Sequence, residues 1–328
     1  MNLWGLWIFQ VPRHHDFSTV DWKSIDINQP FYGDGLDWST FLVKDVESES
    51  TFDLLHTHTD APVAIAESRF GGPTNAIVRT YAFGICTVLI QFSSTRALNS
   101  GELTNFGRFL DETSGVIASW LELKGHIVHD SELTTLWNSC VVSMQCQPDI
   151  ADNVASEIRK ATETVVLSDV GGVSRSLVGN KFSLFHADSD HSIKKCLELF
   201  MRVHAYAAGM YRYERLMIRE LARLTSGVRM KRRFTMESDH THNGARLLRA
   251  LWTHQFIAAP VNERQIQEGL WNLWDMKELT ESVMEMSEKV SSQLGARRDQ
   301  RRNELASRLN WIILVATLVQ VLIAFGGK

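Results

Sequence analysis

Residues 309–325 carry no formal charge, and roughly 17 residues at 1.5 Å rise reach about 25 Å, the short end of what crosses a hydrocarbon core. The run predicts one transmembrane helix. Trp311 stands where an aromatic anchor lies at a bilayer interface, and Lys328 is placed to snorkel on the far side. Arg297, Arg298, Arg301, Arg302 and Arg308 form a basic juxtamembrane group ahead of the run, and Lys328 follows it. The positive-inside bias then puts the residues before 309 in the cytoplasm, with membrane lipid as an expected partner. The rival reading is a buried C-terminal helix of a protein core.

The rest of the chain has the composition of a globular domain. It is 44% hydrophobic and 22% charged, with a mean hydropathy of -0.13, and is long enough for one large or two ordinary domains. A net charge of -4 gives no general case for nucleic acid. Cys86, Cys140, Cys146 and Cys196 have neither CxxC nor metal-finger spacing, so they are expected as buried, reduced thiols. Residues 1–11 are apolar but have no basic residue ahead of them and no small-residue cleavage site. Short, aromatic-rich and closed by Pro12, they predict a buried strand rather than a signal peptide.

The pattern along the chain predicts an α+β protein: an N-terminal mixed α/β cytoplasmic domain at 1–190, a helical stalk at 191–308 and the transmembrane helix at 309–325. Strand-type runs occupy 40–46, 62–66, 76–83 and 86–92, with a turn at Gly71-Gly72-Pro73. Asn99-Ser100-Gly101-Glu102 starts a helix whose apolar face is Leu103, Phe106, Phe109 and Leu110, ending near Lys124-Gly125. Helical patterns follow at 131–142 and 150–161, a strand at 165–167, and a hairpin at 174–185 turning on Gly179-Asn180. Beyond 191 every pattern is helical. With no proline after Pro260, one helix is expected from about 263 through 325. Met276, Leu279, Val283, Met286 and Val290 step by three and four, which fits either a coiled-coil subunit contact or a helix packed on its own domain.

Several clusters invite a metal reading. His186-Ala-Asp188-Ser-Asp190-His191 sets oxygen and imidazole groups close enough for a divalent cation, but an Asp/Ser stretch opening a helix is equally expected as its cap. His56-Thr-His58-Thr-Asp60 lacks the further histidine of an HxHxDH site, and His126, His129 and Asp130, like Asp239 to His242, stand at helix starts. None joins a nucleophile to an ordered base and an oxyanion site, and no GxSxG, Walker loop or dinucleotide fingerprint occurs, so the sequence does not argue for an enzyme. Arg229-Met-Lys231-Arg232-Arg233 fits a cationic helix C-terminus or contact with anionic lipid. Arg212, Arg215, Arg219 and Arg223 interleave with Glu214 and Glu220 as a solvated, ion-paired face.

Within the uncharged run, Asn310, Ile313, Thr317, Gln320 and Ala324 share one stripe. Hydrogen-bonding side chains in lipid face protein or water, so this stripe predicts homo-oligomerisation, with the residues at a helix seam or a lumen.

The order of an α+β domain, antiparallel helices and one long helix with a basic collar before a span resembles the plan of the CorA-like divalent-cation transporter superfamily. The stretch that carries the resemblance is Arg301-Arg-Asn-Glu-Leu-Ala-Ser-Arg-Leu-Asn-Trp-Ile-Ile-Leu-Val315, which is similar to the place where that family's stalk helix enters the bilayer. The family's Gly-Met-Asn signature and second span have no counterpart in Ala324-Phe-Gly-Gly-Lys328, so its cation-selecting element is not carried over. The resemblance implies an oligomer whose cytoplasmic domain regulates a span assembly that passes ions. The alternative is a non-conducting, membrane-tethered sensor, scaffold or effector whose domain binds a ligand or partner.

Overall fold

A computed structural model describes residues 1–11, 42–48, 70, 73–81, 83–93, 99–123, 133–145, 148–162, 164–170, 173–187, 189–225, 241, 244–253 and 261–326. Within these, side chains are described except at 42–48, 73–74, 93, 122–123, 148, 164–176, 261–263 and 321–326. The expectations at 62–66, Gly71-Gly72, His56 to Asp60, His126 to Asp130, Cys146 and 229–233 lie outside the described residues.

The fold is built on strand β1 (Asn2–Gln10), which has a neighbour on each edge and whose apolar residues are buried on both faces by packed helices. It pairs antiparallel with β4 (Ile85–Ser93) and with β5 (Thr134–Met144). With β2 (Leu42–Ser48), β3 (Pro73–Tyr81), β6 (Thr164–Val170), β7 (Val173–Gly179) and β8 (Phe182–Ala187), these form one eight-stranded sheet in the order β2-β3-β4-β1-β5-β8-β7-β6. The β5–β8 pair is parallel, whereas every other described pair is antiparallel.

Alternation along β1 divides the core. Leu3, Trp7 and Phe9 face α1 (Ser100–Leu123) and α2 (Pro148–Ala161), while Trp4, Leu6 and Ile8 face α3 (Asp190–Thr225). Each indole of that strand finds a partner on its own side: Trp7 Nε1 donates to the Leu110 carbonyl at 2.9 Å and Trp4 Nε1 to Ser143 Oγ at 2.8 Å. The α3 layer also holds α4 (residues 244–253), α5 (Val261–Leu273) and the first part of α6 (Met276–Gly326). The result is a mixed α and β protein in three layers, helices on both faces of the sheet.

Two sequence expectations are corrected. Residues 131–142 form no helix; 134–144 are β5, whose inner half is buried on both faces between β1 and β8, so its apolar residues do not alternate and imitate helical spacing. The helix expected from 263 to 325 is broken at Trp274–Asp275, where Asp275 takes φ +46°, a left-handed conformation that aspartate tolerates better than most residues. One cluster of buried residues runs from Trp4 to Leu294 and draws on both sides of position 190. The Met276 to Val290 seam packs on this chain's own core, one of the two arrangements its spacing fits, with Met276, Val283 and Val290 fully buried there.

The arginine face of α3 is also different from its pattern. Arg212 is 3% exposed and donates through Nη1 to the Phe83 carbonyl, while Glu220 is 1% exposed and pairs with Arg223 at 3.6 Å. Cys86, Cys140 and Cys196 are free and buried, and burial pushes the Cys140 thiol well above its ordinary range.

Candidate functional site

One cleft is made by strand register. β8 joins β5 at Cys140↔Phe182, six residues after β5 begins, so among the described residues Leu136, Trp137 and Asn138 have no strand on that side. Asn180 and Lys181 turn into β8 beside this gap, and the Lys181 carbonyl is held by Cys140 N at 2.7 Å and Ser139 Oγ at 3.1 Å. Ala207, Tyr211 and Arg215, four residues apart along α3, line one wall, and Trp274 closes the side nearest the α5–α6 elbow. The cavity measures about 630 Å³.

Its polar groups are organised. Asp111 of α1 accepts from Asn138 Nδ2 at 2.7 Å and from Lys181 Nζ at 3.0 Å. Partial burial pushes the Asp111 carboxyl up, but the two hydrogen bonds and the Lys181 charge outweigh it and hold the group below the usual carboxylate range. Trp137 meets Tyr211 edge to face at 6.0 Å and donates its indole hydrogen to His204 Nδ1 at 2.9 Å. His204 in turn packs against Phe200 at 4.3 Å and Trp274 at 4.5 Å, so an aromatic chain leads from the cleft to the elbow. Below the β3–β4 turn lies Arg212, against Gly84 at φ +74°.

A second, smaller cavity of about 300 Å³ lies over a stack of Tyr206, Trp252 and Trp271, with ring centroids 4.4 and 5.1 Å apart along the stack. Tyr206 Oη and Thr280 Oγ1 are 3.3 Å apart, so the stack ties α3, α4, α5 and α6 together. Burial raises the Tyr206 phenol above its ordinary range.

The sequence-predicted residues fall elsewhere. His186 is buried at the end of β8, whereas Asp190 and His191 are exposed at the start of α3; Asp188 lies outside the described residues. Asp190 accepts from Gln145 Nε2 at 2.7 Å, and Ser189 Oγ accepts from the Ser192 amide at 3.2 Å, which is helix-cap geometry. Among the described residues no group of three or more His, Cys, Asp or Glu is placed to hold a metal ion.

Of the basic collar, Arg297 docks α6 onto the body by donating to the Leu224 carbonyl in the last turn of α3, where a cation also complements the helix dipole. Arg298, Arg301, Arg302 and Arg308 are exposed. Every side chain from 301 to 320 is exposed, including Asn310, Ile313, Thr317 and Gln320 of the stripe. Thr317 Oγ1 donates back to the Ile313 carbonyl at 2.8 Å, so its hydroxyl is already satisfied within the helix. The Ala324 side chain is outside those described. Among the described residues, no helix is long and apolar enough to cross a membrane.

The cleft was not read from sequence, because its residues run from Gln10 to Trp274 and the late start of β8 brings them together. The one local signal was the Ala207, Tyr211, Arg215 spacing, which reads equally as an ordinary helix face. Comparison of the chain with family models, with curated proteins and with solved structures finds no match in any of the three.

Proposed function

We propose that this is a membrane-tethered protein in which the α/β/α body senses a ligand or partner and the far end of α6, residues 309–325, enters the bilayer. The observation that carries the reading is the all-round exposure of that helix. Trp311 is 66%, Ile312 64% and Ile313 61% exposed, and Leu314 and Val315 continue the run. Five successive residues at about 100° each sample the whole circumference, so the helix is apolar on every side and not along one stripe. With Leu309, Leu318 and Val319, these side chains in water forgo burial worth on the order of 10 kcal/mol. A hydrocarbon solvent covers such a helix on all sides, whereas a protein groove covers one. Exposed arginines immediately before the run match anionic headgroups, at about 1 kcal/mol for each charge near the surface.

The second reading is an oligomeric, CorA-like assembly that passes ions, favoured by Asn310 and Gln320, two polar side chains left exposed on one stripe of the same helix. Because the Met276 to Val290 seam is used within the chain, association rests on the stripe.

Mass in detergent and ion flux in liposomes separate the two, measured on the native chain and on Gln320→Leu. A conducting assembly gives flux that Gln320→Leu suppresses while the oligomer persists, since apolar constrictions gate by dewetting. A helix seam gives an oligomer that the substitution loosens, by about 0.6 kcal/mol for each lost interhelical bond. A native monomer without flux leaves the tether alone.

A further inference from the structure

We infer that the cleft between β5, the β7–β8 turn and α3 is a binding site for a small planar anion, an aromatic or heteroaromatic ring bearing a carboxylate, sulfonate or phosphate group. It stands whether or not residues 309–325 enter a bilayer.

Size and lining come first. About 630 Å³ falls within the ~300–1,000 Å³ range of small-molecule sites, and the walls are mainly apolar with a few placed polar groups. The gap follows from the register of β8 on β5 and so is part of the sheet, not a chance separation of side chains. Trp137, Tyr211 and Trp274 border it, which suits the faces and edges of a flat ring.

Charge selects the sign of the ligand. Three cations, Lys181, Arg212 and Arg215, border the cleft with one carboxylate, Asp111. That carboxylate is already engaged by Lys181 and Asn138. A cationic ligand would have to displace Lys181 from Asp111 and would then face two guanidinium groups. Arg215 is exposed and makes no ion pair among the described residues, so its planar donors are available to an incoming anion. It lies one helical turn from Tyr211 on the same face of α3, so one ligand reaches ring and charge together.

The test is titration calorimetry of the full chain in detergent with naphthalene-2-sulfonate, its neutral analogue naphthalene-2-methanol, and buffer-matched empty micelles as the blank. Saturable one-to-one binding of the sulfonate is expected, about tenfold tighter than the neutral analogue. Arg215→Ala is expected to weaken the sulfonate about tenfold and leave the neutral analogue unchanged, with Arg215→Lys recovering part of the loss. Tyr211→Leu is expected to weaken both ligands. Arg215 and Tyr211 are exposed, so these variants leave the core intact, and a thermal melt checks that they do. No saturable binding, equal affinity for the two ligands, or sulfonate binding indifferent to both Arg215→Ala and Tyr211→Leu would overturn the assignment.

Discussion

Trp137 on β5 and His204 on α3 are joined by one hydrogen bond: the indole N–H donates to His204 Nδ1 at 2.9 Å, so the neutral imidazole carries its proton on Nε2. That proton has no hydrogen-bond acceptor among the described residues, and the ring is fully buried between Phe200 and Trp274. The pair links the cleft to the α5–α6 elbow and makes the body sensitive to acid.

Burial lowers the His204 pKa from 6.5 to about 3. Between those values the unfolded chain binds a proton that the folded chain refuses. Stability is therefore full above about pH 6.5 and falls toward pH 3, by up to about 1.4 kcal/mol per pH unit. His204→Gln, whose amide oxygen still accepts from Trp137, should flatten that part of the denaturation profile by up to one proton. Urea unfolding from pH 4 to 7 measures it, and an unchanged slope would remove His204 as the cause.

The β3–β4 turn should tolerate no side chain at Gly84. Its φ of +74° costs other residues about 1–3 kcal/mol, and an added Cβ would strike the guanidinium of Arg212, which is buried and bonded to the Phe83 carbonyl. Gly84→Ala is expected to lower stability by at least that much in chemical denaturation.

Met276 tests what the apolar seam is for. It is fully buried against the chain's own core at the first residue of α6, so Met276→Ala should cost about 2–5 kcal/mol of stability and leave the mass in detergent unchanged. A change in mass without a loss of stability would return the seam to a subunit contact.

Asn99 Oδ1 accepts from the Glu102 amide at 2.8 Å, and Glu157 of α2 accepts from the Ser100 amide at 2.8 Å, so the start of α1 is capped from its own chain end and from its neighbour. Hydrogen bonds from Lys160 and Ser100 lower the Glu157 pKa. Asn99→Ala should cost about 1 kcal/mol by thermal or chemical melt.

What the sequence made legible was local. The Asn99 cap, the aromatic-rich strand β1 and the hairpin before Phe182 were readable because each depends on neighbouring residues; the hairpin loop moved by one residue, to Asn180-Lys181. β5 was misread because a strand buried on both faces loses the alternation that identifies strands. The elbow at Asp275 was hidden, since neither glycine nor proline marks it. The cleft depends on one register, Cys140↔Phe182, which no local pattern encodes. Lys181 and Tyr211 look like ordinary surface residues until that register places them together.

Flotation of the full chain beside a chain ending at Ser307 asks whether residues 309–325 enter a bilayer. Both are mixed with phosphatidylcholine/phosphatidylserine liposomes and spun through a density gradient at low and at 0.5 M salt. The full chain is expected to float at both salt concentrations, because its hold is apolar, and the shortened chain to stay at the bottom at 0.5 M salt. A full chain that remains below, or floats only at low salt as the shortened one does, would contradict it.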